Sequence, residues 1–342
     1  MLKKYFIKTF GCQMNFSDSE RITSILKRRG YKSAKSEGEA DLIVINACSV
    51  RQSAIDRVYA KVHKYYKAKK IILAGCILKE DKKKLAKKVK TFWNPKKYFN
   101  CFPIHENKSV VYVPIMTGCN NFCAYCVVPY TRGREISRPA SEIIREVKSL
   151  VKKGYEEIML LGQNVNSYRN PRPTLSLRER GLGGEGNFSD LLRKIDTIPG
   201  KFRITFMTSH PKDMSDELID IIAKSGKILK VIHLPVQAGD TQILKKMNRK
   251  YTAVYYLNLI KKIRQKIPKV KISTDIIVGF PGETRKQFEN TVKLCKKANF
   301  IKAYISRYSP RPGTAAAKMA DNISRAEKKR RWLVLDKLIN KS

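Results

Sequence analysis

Short apolar runs alternate with amphipathic stretches along almost the whole chain, and this β–α alternation restricts the fold more than any other feature. Strands are expected at Tyr5–Phe10, Asp41–Asn46 and Lys70–Ala74, each followed by a helix, at Ser17–Arg29, Ser49–Lys69 and Leu78–Val89. Ser17 and Glu20 are spaced as a capping box, and Gly30 stops the first helix. A helix between successive strands needs a crossover, so the strands pair in parallel with right-handed connections. Residues 92 to 109, through Pro95 and Pro103, read as a connector. A second array follows, with strands at Val110–Ile115, Glu157–Leu161, Phe202–Met207, Leu229–Leu234, Lys271–Val278 and Ala303–Arg307. Helices fall between them, at Ser141–Lys153, Ser215–Ser225, Thr252–Gln265 and Thr284–Lys297 among others. The expected class is α/β, with an N-terminal parallel domain over 1–100 and a partial (β/α)6 barrel over 105–342. The Pro-, Arg- and Gly-rich stretch from Asn170 to Gly186 reads as a flexible insertion, and Ser324 to Ser342 as a basic helix.

At 342 residues the chain has room for about two domains. No run of about 18 apolar residues is present, so no membrane span is expected. The start, Met1-Leu2-Lys3-Lys4 running into Tyr5-Phe6-Ile7, reads as a polar-broken strand and not as a signal peptide. A cytoplasmic location follows as the expectation, and it suits cysteines kept reduced for metal. The formal net charge of +42 favours a polyanionic partner. Lysines spread evenly, as in Lys82-Lys83-Lys84 and Lys87-Lys88, would also arise from compositional bias. The charge therefore argues for nucleic acid only beside the motifs.

Six of the eight cysteines fall into two sets of three. Cys12, Cys48 and Cys76 each lie just beyond the carboxyl end of one of the first three strands. In a parallel sheet those ends share one edge, where ligands bind. Three thiols distant in sequence are thus expected to converge, against the alternative of three unrelated core cysteines. The second set is local, in Thr117-Gly118-Cys119-Asn120-Asn121-Phe122-Cys123-Ala124-Tyr125-Cys126. Its C-x3-C-x2-C spacing offers three thiolates to a four-iron cube that is ordinarily held by four, leaving one iron open to substrate or a second cofactor. The competing reading is a zinc site or a disulfide. Zinc prefers a closed four-ligand set with CxxC pairs, and no histidine lies close behind Cys126.

The C-x3-C-x2-C run resembles the radical S-adenosylmethionine (SAM) superfamily, in which the open iron is chelated by SAM. With Cys12, Cys48 and Cys76 ahead of it, the chain is similar over nearly its whole length to the methylthiotransferase family, which carries two clusters. The blocks Thr9-Phe10-Gly11-Cys12-Gln13-Met14-Asn15, Asn46-Ala47-Cys48-Ser49-Val50-Arg51 and Val127-Val128-Pro129-Tyr130-Thr131-Arg132-Gly133-Arg134-Glu135 carry the likeness. Within that family, Gly-Cys-Gln-Met-Asn and Cys-Ser-Val-Arg resemble the branch that modifies isopentenyl-adenosine in tRNA. The branches acting on a ribosomal-protein aspartate or on threonylcarbamoyl-adenosine usually carry Pro-Lys or Lys-Val after the first cysteine. The resemblance implies conversion of C–H to C–SCH3 at C2 of an adenine, an unactivated bond that needs a radical supplied by a cofactor. Two 4Fe-4S clusters are implied, one on Cys12, Cys48 and Cys76 and one on Cys119, Cys123 and Cys126. Two SAM molecules per turnover would supply a 5′-deoxyadenosyl radical and a methyl group. Implied partners are the tRNA anticodon loop, a low-potential electron donor such as flavodoxin or ferredoxin, and a sulfur or iron–sulfur carrier. A monomer is expected.

The same resemblance places SAM contacts at the strand ends: Tyr125, then Gly162, Gln163 and Asn164, then Ser209 in Thr208-Ser209-His210-Pro211, then Gln237, and Gly279 in Val278-Gly279-Phe280-Pro281-Gly282-Glu283. Arg249 falls in a family block near the active face. Arg132, Arg134 and Arg138 are candidates for phosphates or the SAM carboxylate, and Tyr125 or Tyr130 for base stacking, with core packing as the alternative for the tyrosines. Cys295 reads as core and Cys101 fits neither set. Two departures from the family stand out. The segment between Cys76 and Cys119 is short, and the chain stops at Ser342 without the small RNA-binding β-barrel domain usual at that end. Either the basic surface alone binds tRNA, or the product is truncated and weakly active. The reading of another class is a non-catalytic iron–sulfur RNA-binding remnant.

Overall fold

The computed structural model describes residues 3–50, 52–105, 109–171, 186–207 and 209–340. Five strands, β1 (Lys4–Thr9), β2 (Lys32–Ser33), β3 (Leu42–Cys48), β4 (Lys70–Cys76) and β5 (Thr91–Trp93), form one parallel sheet in the order β2-β1-β3-β4-β5. Alternate side chains leave a strand on opposite faces, so the fully buried β3 feeds two cores. Ile43 and Ile45 pack with Leu73 and with Ile55, Val58 and Val62 of helix α2 (Gln52–Tyr65). Val44 packs on the other face with Ile72, Trp93 and with Ile22 and Leu26 of helix α1 (Gln13–Arg28).

Two details differ from the sequence expectation. Helix α1 begins four residues earlier, with Cys12 as its N-cap, and Ser17 and Glu20 are buried inside it. The cap is made by Asn15, whose Oδ1 accepts from the Cys12 amide at 3.3 Å. The connector starts with a fifth strand, because Trp93 is buried in the sheet's core.

The second array has β6 (Val110–Pro114), a short antiparallel ribbon of β7 (Met116–Thr117) and β8 (Ile136–Ser137), and then β9 (Glu157–Leu161), β10 (Arg203–Phe206), β11 (Val231–His233), β12 (Lys271–Val278) and β13 (Lys302–Arg307). β6, β9 and β10 pair in parallel, as do β11, β12 and β13. An isolated parallel bridge between Ile204 of β10 and Ile228, just before β11, brings the two three-stranded sheets side by side in chain order. This is the expected partial barrel, wrapped by helices that include Ala140–Lys152, Asp216–Lys224, Ala253–Lys266 and Arg285–Ala298. Most of the Asn170–Gly186 insertion, residues 172–185, lies outside the described residues.

The last helix, Arg325–Ile339, packs on β13, and its Trp332 Nε1 donates to the Ile305 carbonyl at 3.0 Å. Two of its cations point inward: Arg331 pairs with Glu283 at 2.7 Å and Lys328 with Asp321 at 2.6 Å. This end of the chain therefore closes the barrel wall as well as carrying charge.

Helix α1 also packs on β6, so the two units share a buried seam. Arg21 of α1 reaches Glu146 at 3.2 Å, and Glu146 holds Arg138 at 2.7 Å, with all three side chains almost fully buried. No described helix is long and apolar enough to cross a membrane.

Candidate functional site

The register of β3 on β4 sets Cys48 directly beside Cys76 at the carboxyl edge of the first sheet. Cys12 joins them from the turn after β1. Burial pushes the Cys76 thiol up to about 12, against the lowering effect of the Arg132 cation and with smaller contributions from Cys48 and Cys12. A lattice of amides holds this edge. Asn15 Nδ2 donates to Asn46 Oδ1 at 2.9 Å and to the Ala47 carbonyl at 3.1 Å, while Asn46 Nδ2 donates to the Asn15 carbonyl at 2.6 Å. Gly75 has φ +88°, and a Cβ there would lie 2.3 Å from the Ala47 carbonyl oxygen. Gly11 is equally confined, since its Cβ would meet Asn15 Oδ1 at 2.1 Å. These residues explain the chemistry of the Gly11-to-Asn15 block: the asparagine locks the turn after β1 to the end of β3, and the glycine makes room for it.

The second thiol set lies in the loop after β7. Gly118, with φ +82°, brings its backbone against that of Arg134, and its amide donates to Gln163 Oε1 at 2.6 Å. Phe122 is held at φ +47° while Asn248 Nδ2 donates to its carbonyl at 2.9 Å. Arg249 is buried, with Nη1 3.4 Å from Cys123 Sγ, Nη2 2.9 Å from the Pro235 carbonyl and Nε 2.9 Å from the Tyr251 hydroxyl. Burial and the neighbouring thiols push Cys126 up to about 12 and raise Cys119 as well. His210 packs edge-on against Tyr251, and burial together with Arg249 pushes it down to about 2, so it is neutral.

The remaining expected residues come to the same carboxyl rim of the barrel. Gly162 abuts Met116, where a Cβ would meet Cγ at 2.5 Å. Asn164 is tied at both ends, donating to Asp213 at 2.7 Å and accepting from the His210 amide at 3.1 Å. Ser209 is buried and its hydroxyl has no protein partner. Gln237 has φ +70° and its amide donates to the Asp275 carbonyl at 2.9 Å. The Gly279 amide donates to Glu283 at 2.7 Å. Tyr125 packs against the barrel core. Thr208 and Arg51 lie outside the described residues.

The arginines after the loop behave differently from expectation. Arg138 is consumed by Glu146 and the Pro114 carbonyl, and Arg132 by Asp18 and Cys76, so neither is free for phosphate. Arg134 stacks over Phe122 at 4.3 Å, and Tyr130, 47% exposed, meets the same ring edge-on at 6.0 Å. The pairing of Arg132 with Cys76 across two domains had no signal in sequence spacing.

Each set offers three thiols and no fourth, the donor chemistry of a cube with one open iron and not of a closed zinc site. No described cysteine forms a disulfide, and no three described His, Cys, Asp or Glu side chains are placed to hold a single metal ion. A zinc ion would draw its sulfurs to about 2.3 Å of one centre, whereas a cube spreads three thiolates over three irons. Cys295 is a buried core thiol. Cys101 is half-buried in the connector, and its carbonyl accepts from Arg21 at 2.9 Å.

Comparison with known proteins agrees. Residues 113–295 match the radical SAM superfamily and residues 4–93 match the uncharacterized protein family UPF0004. The structure of the radical S-adenosylmethionine methyltransferase TsrM from Kitasatospora setae, with tryptophan and a SAM analogue bound, superposes with a TM-score of 0.63 at 12% identity, covering 92% of this chain and 75% of that one. The same protein with cobalamin and a [4Fe-4S] cluster bound gives 0.61. At that identity the likeness speaks for the fold alone, which is the radical SAM fold. The tRNA-2-methylthio-N(6)-dimethylallyladenosine synthase of Carboxydothermus hydrogenoformans is 42% identical over 99% of this chain and 83% of its own length. The chain belongs to the radical SAM methylthiotransferase family, whose members are enzymes that work with 4Fe-4S clusters and SAM.

Proposed function

We propose that this enzyme methylthiolates tRNA at C2 of N6-isopentenyl (dimethylallyl) adenosine beside the anticodon. The observation that carries the reading is the Gly11-Cys12-Gln13-Met14-Asn15 edge, built as a locked cradle, in a chain 42% identical to a relative bearing that activity's name. In this reading residues 1–100 hold one cluster on Cys12, Cys48 and Cys76, and residues 105–342 hold the SAM-binding cluster on Cys119, Cys123 and Cys126. Bound there, the two clusters would supply the electron that cleaves SAM and the sulfur that is inserted.

The chain's own residues bind and orient. Gly118 and Gln163 fix the start of the thiol loop, and Arg249 neutralises charge at Cys123. Gly162, Ser209, Gln237, Gly279 and Tyr125 are the residues that would hold SAM, and Asn164 clamps the ends of β9 and β10 together. Phe122, Arg134 and Tyr130 offer a stacking platform beside the thiol loop, the kind of surface that takes a splayed single-stranded base. The +42 charge supports a tRNA partner through phosphate contacts. The reading includes a cytoplasmic monomer with reduced thiols, fed by a low-potential donor of the flavodoxin or ferredoxin kind and by a sulfur or iron–sulfur carrier.

The test is the nucleoside content of tRNA from a deletion strain. Loss of the methylthio-isopentenyl nucleoside, with the isopentenyl form accumulating, supports the assignment. Persistence of that nucleoside, with loss of the threonylcarbamoyl derivative or of a ribosomal-protein modification, moves the substrate to another branch. Absence of deoxyadenosine release from SAM in the purified protein would remove the catalytic reading altogether.

A further inference from the structure

One side chain joins the first thiol set to the loop that carries the second. Arg132 lies six residues beyond Cys126, at the end of the short helix Val128–Thr131, and crosses the seam into the first domain. Its Nε donates to Cys76 Sγ at 2.8 Å. Its Nη2 donates to Asp18 of α1 at 2.5 Å, and its Nη1 lies 3.5 Å from the Thr117 hydroxyl, two residues before Cys119. The guanidinium and the Asp18 carboxylate are both 2% exposed. Gly133, next in the chain, accepts from the Cys119 amide at 3.2 Å through its carbonyl.

A buried ion pair of this kind gains little as a stabiliser, because the desolvation of two charges offsets their attraction. Its placement favours another purpose. Hydrogen bonds to cluster sulfurs and local net charge set the potential of an iron–sulfur centre, and burial amplifies both. A cation 2.8 Å from a ligand sulfur favours the more negative, reduced form of whatever that sulfur holds.

We propose that Arg132 is a positioning residue that couples the two centres: it raises the reduction potential of the cluster on Cys12, Cys48 and Cys76 and ties Cys76 to the loop that carries the SAM cluster. The inference rests on the reading of Cys12, Cys48 and Cys76 as cluster ligands. Arginine suits the task because its planar fork presents Nε to one partner and two terminal nitrogens to others at fixed angles. Lysine offers the charge without the fork.

The test uses full-length protein with Cys119, Cys123 and Cys126 changed to alanine, so that a single cluster remains, followed by EPR during a redox titration. Arg132→Met paired with Asp18→Asn removes the donor while leaving no unpaired buried charge. Its midpoint should fall by the equivalent of at least a tenfold change in the reduction equilibrium, about 59 mV for one electron. Arg132→Lys should recover most of that shift. The same substitutions in protein with all six cysteines should leave the SAM-cluster EPR signal in place while changing the broadening each paramagnet imposes on the other. An unchanged midpoint in the Met/Asn pair, with about four irons retained, overturns the inference and leaves the cluster reading intact. Failure of the triple-alanine parent itself to hold about four irons overturns both. If the Met/Asn pair loads no iron while Arg132→Lys does, a cation at this position is required for the site to hold its cluster, and the coupling role stands on the lysine midpoint: one equal to wild type supports it, and one as low as tenfold below removes it.

Discussion

Gly75→Ala tests the cradle around Cys12, Cys48 and Cys76 most directly. The residue sits at φ +88°, where a side chain costs about 1–2 kcal/mol through the clash of Cβ with the following carbonyl. The new Cβ would also stand 2.3 Å from the Ala47 carbonyl oxygen and 2.4 Å from Asn46 Oδ1. The first of these is backbone in the middle of the sheet edge, and the second is held by Asn15 at 2.9 Å, so neither can swing aside. Overpacking of this kind adds about 1–3 kcal/mol. Gly30→Ala is the control: its φ is +79°, with nothing within 4 Å of the added Cβ, so it carries the backbone cost alone. The difference between the two variants isolates the crowding, about 1–3 kcal/mol.

The two tryptophans make the assay local. Trp93 lies in the core of the first sheet and Trp332 on the last helix against the barrel. In a Trp332→Phe background, fluorescence follows the N-terminal unit only. With a urea slope of about 2 kcal/mol per molar, the Gly75→Ala midpoint should fall about 0.5–1.5 M below that of Gly30→Ala. Iron bound by Cys12, Cys48 and Cys76 should fall with it. Coincident midpoints for the two variants would refute the close-packed edge, and with it the reason for glycine before Cys76.

His210 predicts acid sensitivity of the barrel. Its pKa is pushed down to about 2 in the folded state against 6.5 for a free histidine, so below pH 6.5 the unfolded chain takes up a proton that the folded one refuses, and stability is lost as pH falls through that window. At pH 5 this amounts to about 2 kcal/mol, and His210→Asn, which can still accept from the Lys212 amide, should remove it when unfolding is followed by Trp332 in a Trp93→Phe background; equal pH dependence in both proteins would refute the burial argument. In reduced, iron-free protein at pH 8, iodoacetamide should modify the exposed Cys12 first and Cys76, Cys126 and Cys295 last, because thiols at about 12 are only roughly one part in ten thousand thiolate. Mass mapping that finds Cys76 as fast as Cys12 would contradict the placement. Arg331→Met should cost about 3–5 kcal/mol by leaving Glu283 unpaired at 1% exposure, and SAM affinity should fall too, since the same carboxylate holds the Gly279 amide. Adding Glu283→Gln should restore much of the stability, and a double variant no better than the single would show that the pair is not the cause.

Most of the architecture was legible in the chain because its signals are local. The edges of β9 and β12 coincide with the expected strands, and the barrel helices agree to within a residue or so, because apolar period and capping residues act over a few positions. The three thiols of the second set needed no fold to bring them together, since they are neighbours in sequence. Where α1 begins was misread, because Ser17 and Glu20 satisfy a capping pattern that Cys12 and Asn15 satisfy first.

The convergence of Cys12, Cys48 and Cys76 lay between these cases. Parallel topology brings strand ends to one edge, so the sequence implied the meeting, but only the register of β3 on β4 sets Cys48 beside Cys76. The arginines show the limit. Arg132, Arg134 and Arg138 look alike as a basic stretch of seven residues, yet two are buried in ion pairs and one stacks on Phe122. Arg132 finds Asp18 only because α1 packs against the barrel, a contact between segments more than a hundred residues apart. Local sequence sets propensity and ligand type; the pairing of charges across a seam is decided when the two folded units exclude water from it.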